Sequence, residues 1–172
     1  PRASGYQCRS STSTRRRCAR ASASPASRGN EPGFFAPVLY LWAGRPDRTA
    51  DRVRETLSRN LGPGRKGLPG NDDSGTMSAF YLFHAMGLYP NAGSDVYLIS
   101  GAPVFERTAL HLENGKALEI ERRGQGRYVR QAALDGHAEI ANGARLVLEM
   151  GERPGQWGTD APPPSLSDEA SK

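Results

Sequence analysis

The residues best suited to chemistry lie in Gly70-Asn71-Asp72-Asp73-Ser74-Gly75, where two adjacent carboxylates sit between glycines just ahead of an apolar stretch. A carboxylate on such a loop can take a proton from water as a general base. Paired oxygens can also ligate a hard divalent cation such as calcium. A third role is local, because Asp and Asn close Asx turns and cap the helix that follows. Spacing alone leaves the three roles open, but it excludes an EF-hand, whose loop needs alternating ligands and a distal Glu. The second candidate is Gly29-Asn30-Glu31-Pro32, followed closely by Phe34, Phe35, Tyr40 and Trp42. Amide and carboxylate groups suit sugar hydroxyls, and aromatic faces suit pyranose rings. A surface turn before a helix accounts for the same residues. His84 falls in an apolar stretch and reads as a hydrogen-bonded core residue. His111 and His137 have no partner in sequence.

The elements that hold these residues divide into helices, then strands. Pro37 and the apolar run Val38-Leu39-Tyr40-Leu41-Trp42 predict a buried helix ended by Gly44-Arg45-Pro46. A second helix, capped by Asp47, runs to about Asn60 with Val53 and Leu57 on one face. Leu61 to Gly75 holds five Gly and two Pro and must be a loop. A third helix runs from about Thr76 to Met86, with Gly87 just past its end and Pro90 barring continuation. Strands are predicted at Val96–Ile99, Leu110–Leu112, Leu118–Glu121, Tyr128–Leu134 and Arg145–Met150. The turns between them carry Asn114-Gly115, Asp135-Gly136 and Asn142-Gly143. This is an antiparallel sheet with one wet face, and the fold class is α+β. The chain divides into a disordered Arg/Ser-rich segment (1–28), a helical region with the acidic loop (29–90), a strand region (91–154) and a disordered tail (155–172).

Composition narrows the function. The 172-residue chain has a net charge of +5. Residues 1–28 hold seven Arg and no acidic residue, so the remainder carries 5 − 7 = −2. The basic character belongs to that segment, which argues against a nucleic-acid-binding body. Its Arg15-Arg16-Arg17 run lacks interleaved aromatics. No apolar run approaches the ~20 residues of a membrane span, and residues 1–28 contain no apolar core of a signal peptide. Cys8 and Cys18, without further Cys or His nearby, do not make a zinc site.

Taken together, the motifs resemble glycoside hydrolase family 92, the calcium-dependent exo-acting α-mannosidases. The matching segments are GNEP (Gly29–Pro32), LYLWAGRPDRTADRVRETL (Leu39–Leu57), GLPGNDDSGTMSAFYLFHAMGLYP (Gly67–Pro90), YLISGAPVFERTALHLENGKALEI (Tyr97–Ile120) and YVRQAALDG (Tyr128–Gly136). The resemblance runs from Gly29 to about residue 154 and reads as a C-terminal fragment. It implies the terminal helices of an (α/α)6 barrel followed by an antiparallel β-sandwich module. It also implies inverting hydrolysis of terminal α-linked mannose, from mannose-containing glycans such as N-glycans or mannans, with bound calcium. Asp73 falls at the general-base carboxylate. Asp72 stands beside it in the catalytic loop and supports it, and Asn71 falls where some members carry a second, assisting Asp. Asn30 and Glu31 fall at the site that serves the metal and the terminal sugar. The intact family member is secreted or periplasmic.

Two departures bear on activity. Phe35 stands where family members commonly carry a His. The family's general acid is a Glu in an upstream Glu-Gly-Asn motif, and no Glu precedes Glu31 in this chain. The expectation is a chain inactive by itself, with a carbohydrate-binding or docking module as the alternative.

Overall fold

The computed structural model describes residues 33–94, 96–136 and 143–165. Asn30, Glu31, His137, both cysteines and the Arg/Ser-rich segment lie outside them, as do residues 166–172. The described elements make a mixed α+β arrangement: helices α1 (Pro46–Arg59) and α2 (Thr76–Ala85), then strands β1 (Leu88–Pro90), β2 (Tyr97–Ile99), β3 (Arg107–His111), β4 (Ala117–Arg123), β5 (Tyr128–Gly136) and β6 (Ala144–Gly151).

The helical region departs from expectation at its start. Val38 to Trp42 does not form a buried α-helix but a single 3-10 turn, Leu39–Leu41. Val38 and Leu41 are buried, while Leu39 and Tyr40 face solvent. Between Pro37 and the left-handed Gly44 (φ 64°) there is too little chain to offset helix nucleation. Helix α1 then begins at Pro46 rather than being capped by Asp47. Proline suits a first helical position because the donor it lacks would be unpaired there anyway. Asp47 lies inside the first turn, gripped by Arg45 at 2.8 and 2.7 Å. Its negative charge meets the positive end of the helix dipole there. The helix buries Thr49, Ala50, Val53, Thr56 and Leu57.

Helix α2 ends as its sequence predicts. Gly87 takes φ 84°, and a Cβ there would lie 2.9 Å from the Pro103 ring and 3.0 Å from Gly101 O. Directly after it comes β1, a strand the sequence reading does not contain. Leu88, Tyr89 and Pro90 pair antiparallel with Ile99, Leu98 and Tyr97. Pro90 is tolerated because it closes a two-stranded ribbon rather than interrupting a wide sheet.

The main sheet has the order β3-β4-β6-β5. The β3–β4 hairpin turns at Asn114-Gly115. Leu112 N–H donates to Lys116 O at 2.8 Å, and Asn114 Oδ1 accepts from Lys116 N–H at 3.0 Å. Strand β5 runs through Asp135-Gly136, expected as a break, and pairs antiparallel with β6. Strands β4 and β6 run parallel, with Ile120 opposite Leu146. The sheet is therefore mixed, not purely antiparallel. The long connection carrying β5 lets β6 return between its neighbours in the direction of β4. One face is dry, as alternation predicts: Leu118, Ile120, Val129, Leu146, Leu148 and Met150 pack with Met86 and Leu88. Each such side chain contributes about 1.5–3 kcal/mol by leaving water. The other face is wet. There the guanidinium of Arg123, at 2.9 Å, and then that of Arg145 bind Glu121 and hold its carboxyl down to about 2. The expected tail is not detached over its described part, since Trp157 packs against the dry-face core.

Candidate active site

The acidic loop is built by backbone closure and glycine. Gly62 N–H donates to Gly67 O at 2.9 Å, and Gly67 N–H donates to Gly64 O at 3.0 Å. A Cβ on Gly67 would fall 1.9 Å from Gly62 O, so only glycine permits this approach. The chain then reaches Asn71, Asp72 and Asp73. Asp73 and Ser74 take φ 49° and 59°, and Gly75 follows at 93°. Two successive non-glycine residues in the left-handed region cost about 1–3 kcal/mol each, and such strain persists only where the surroundings fix it.

What fixes it is the start of α2. Gly75 precedes the helix without a capping side chain. Asp72 supplies the missing acceptor from a distance, its Oδ1 accepting from Ser78 N–H at 2.9 Å and Ser78 Oγ–H at 3.0 Å. Its carbonyl accepts from Met77 N–H at 3.1 Å. Asp73 O accepts from Thr76 Oγ1–H at 2.7 Å and Thr76 N–H at 3.3 Å. Both orphan donors and the strained backbone are thereby satisfied within one turn. Below, Met77 and Phe80 are buried with Phe34, whose ring centroid lies 4.8 Å from that of Phe80. Asp73 and Asn71 stay at the surface and Asp72 is half-buried.

The structure therefore brings Asn71, Asp72 and Asp73 together and gives the two aspartates different tasks. Asp72 spends one carboxylate oxygen on the helix. Asp73 is held by its backbone, with its carboxylate at the surface. Asn30 and Glu31 lie outside the described residues. Sequence reasoning missed Ser78 and Thr76; the signal available was Asp six and Thr three positions across the glycine from their partners. The aromatics after Glu31 separate: Phe34 is core, whereas Phe35 packs on Trp42 (5.5 Å) and Tyr89 (6.1 Å). Among the described residues, no three His, Cys, Asp or Glu side chains converge to hold a metal ion. None of the described helices is long and apolar enough to cross a membrane.

The model of the glycosyl hydrolase family 92 catalytic domain matches residues 8–152. The chain belongs to glycosyl hydrolase family 92. The family match opens inside the Arg/Ser-rich segment, well ahead of Gly29, where the motif resemblance starts. Over 153 residues the chain is 37% identical to an uncharacterized secreted glycosidase of Arthroderma benhamiae, covering 78% of this chain and 20% of that protein. Its structure is similar to a family GH92 α-mannosidase of Bacteroides thetaiotaomicron in complex with mannoimidazole. The TM-score is 0.74 at 30% identity, over 80% of this chain and 20% of that one. A family GH92 inverting mannosidase of the same organism gives a TM-score of 0.73 at 34% identity, over 82% and 21%. The chain spans about a fifth of the length of these relatives.

Proposed function

We propose that this chain carries the base half of an inverting α-mannosidase site. Asp73 takes a proton from water as that water attacks the anomeric carbon of a terminal α-linked mannose. A general acid supplied by another part of the family's catalytic domain protonates the departing glycosidic oxygen, so that the bond breaks with inversion. Asp72 supports the loop, and Asn71 faces the sugar beside Asp73. Asn30 and Glu31 serve the terminal mannose and a calcium ion, which when bound would hold sugar hydroxyls. The helices belong to the end of an (α/α)6 barrel and the strands to a β-sandwich module. The substrates are mannose-containing glycans, and the protein is secreted, as its Arthroderma relative is described.

The observation that carries this reading is the strained pair Asp73-Ser74, clamped by α2 in a chain of this family. A chimera tests it, with residues 29–154 replacing the matching segment of the Bacteroides α-mannosidase. The chimera should release mannose, and Asp73→Asn should lower kcat by about 10²–10⁴. Full activity of the Asp73→Asn chimera would sink the assignment. The chain alone should release no mannose from α-1,2-mannobiose. If it instead serves as a carbohydrate-binding module on its sheet, mannoside binding should survive Asp73→Asn.

A further inference from the structure

His84 does not take part in the site above, and its surroundings are unusual for an imidazole. It lies in the last turn of α2 with 0% of its surface exposed. Its Nδ1 lies 2.8 Å from Ser100 Oγ, and Ser100 Oγ–H donates to Leu88 O at 3.3 Å. The arrangement that satisfies both contacts puts the hydroxyl hydrogen on Leu88 O and a proton on Nδ1, which donates to Ser100 Oγ. Nε2 is then a bare lone pair, buried and without a hydrogen-bond partner among the described residues. The ring is stacked on Tyr89 at 4.8 Å and 11° and meets the Phe80 ring at 4.5 Å. The bond from His84 to Ser100 thus adds a side-chain tie between the end of α2 and the β1–β2 ribbon, beside the backbone bonds from Ser100 N–H to Gly87 O and from Val104 N–H to Ala85 O, each 2.8 Å.

We infer that His84 is an acid-sensitive latch: protonation of Nε2 releases the end of α2 from the β1–β2 ribbon and loosens the loop that bears Asp73. A proton on Nε2 creates a charge and a donor in a slot walled by Phe80 and Tyr89, where none of the described residues offers an acceptor. Among the described residues, no compensating charge faces it from the elements around it. Within α2 the neighbour is Phe80. From β1 come Leu88 O and Tyr89, and burial raises the Tyr89 phenol, so it stays neutral in acid. From the end of β2 comes Ser100. Helix α1, which packs on α2, buries only Thr49, Ala50, Val53, Thr56 and Leu57.

The direction follows from linkage. Burial holds the His84 imidazole down to about 3, against an ordinary 6.5. Between those values the opened chain binds a proton that the closed chain refuses. Acid therefore favours opening, by up to about tenfold per pH unit, and the effect levels off below about pH 3. At neutral pH the latch is closed. The inference stands on α2 and the ribbon and does not depend on what Asp73 does.

Hydrogen exchange of the full chain, followed by mass spectrometry from pH 7 to pH 4, tests it. After correction for intrinsic exchange, peptides covering α2 should open about tenfold more per pH unit below about pH 6. His84→Asn keeps a donor for Ser100 but cannot titrate, and it should flatten that slope. Equal slopes in the two proteins would overturn the inference. Should His84→Asn not fold, NMR titration of the His84 ring in the unaltered chain decides alone. A ring that stays neutral until the chain opens supports the latch, and an imidazolium forming near pH 6.5 in the closed chain refutes it.

Discussion

The two halves of the molecule bury their apolar residues to different degrees. The sheet half closes on itself: eight buried residues from α2's end, β1 and strands β4–β6 form one cluster, with Leu148 at its centre. The helical half splits its core into two smaller clusters around Phe34–Phe80 and Val38–Leu41. Leu39 and Leu82 in this half are more than half exposed, as is Leu134 of β5 in the sheet half. The half that carries the acidic loop is thus the less well anchored one. Its local order includes polar clasps at both ends of α2, Asp72–Ser78 at the loop and His84–Ser100 at the far end. A sheet held by burial is robust to single polar changes, whereas a loop held by a few bonds can be set or released by one.

Substitutions can break or sharpen this contrast. The largest effect should come from Leu148→Ala, which opens a cavity in the continuous core and should cost about 2–5 kcal/mol in denaturant unfolding. Asp72→Ala removes the acceptor for Ser78 and should cost about 0.5–2 kcal/mol. Its loss should appear in the exchange of α2 amides while the β3–β6 amides keep their protection. If the sheet loosened equally, the two halves would be one cooperative unit and the contrast would fail. Glu121→Gln should lower stability at neutral pH and lose its effect in acid. The carboxyl is held near 2 against an ordinary 4.5, so its contribution is complete above 4.5 and lost as pH falls towards 2. The variant's thermal midpoint should therefore vary less over that window than the parent's. The smallest change should follow Leu82→Ser, within about 0.5 kcal/mol because the side chain is already in solvent. Light scattering should nonetheless show less self-association, since exposed apolar area drives it.

Much of the sheet was legible because its signals are local. Alternation marked the buried members of β4 and β6, and Asn114-Gly115 marked a hairpin. The end of α2 was equally plain from Gly87 and Pro90. What stayed hidden was non-local. Nothing in the Leu118–Ile120 run says that its second neighbour is the parallel Ala144–Gly151 rather than the strand next in sequence. Pro90 hid β1, because proline normally argues against a strand. The run Val38 to Trp42 looked like a helix by hydrophobicity and failed by length. At the site, the acidic pair was found from residue type alone. The six-residue reach from Asp72 to Ser78 was not legible, because no local pattern marks it.

The parallel pairing of β4 with β6 also has a consequence for the order of synthesis. In the described sheet, β4 and β5 meet only through β6, and β6 is made last. A nascent chain that has left the ribosome as far as residue 143 owns a β3–β4 hairpin and an unpartnered β5, both with open edges. It must wait for eight further residues before either can close. Vectorial folding of this region therefore cannot proceed strand by strand, and the interval before Ala144–Gly151 emerges is when the chain depends most on being shielded.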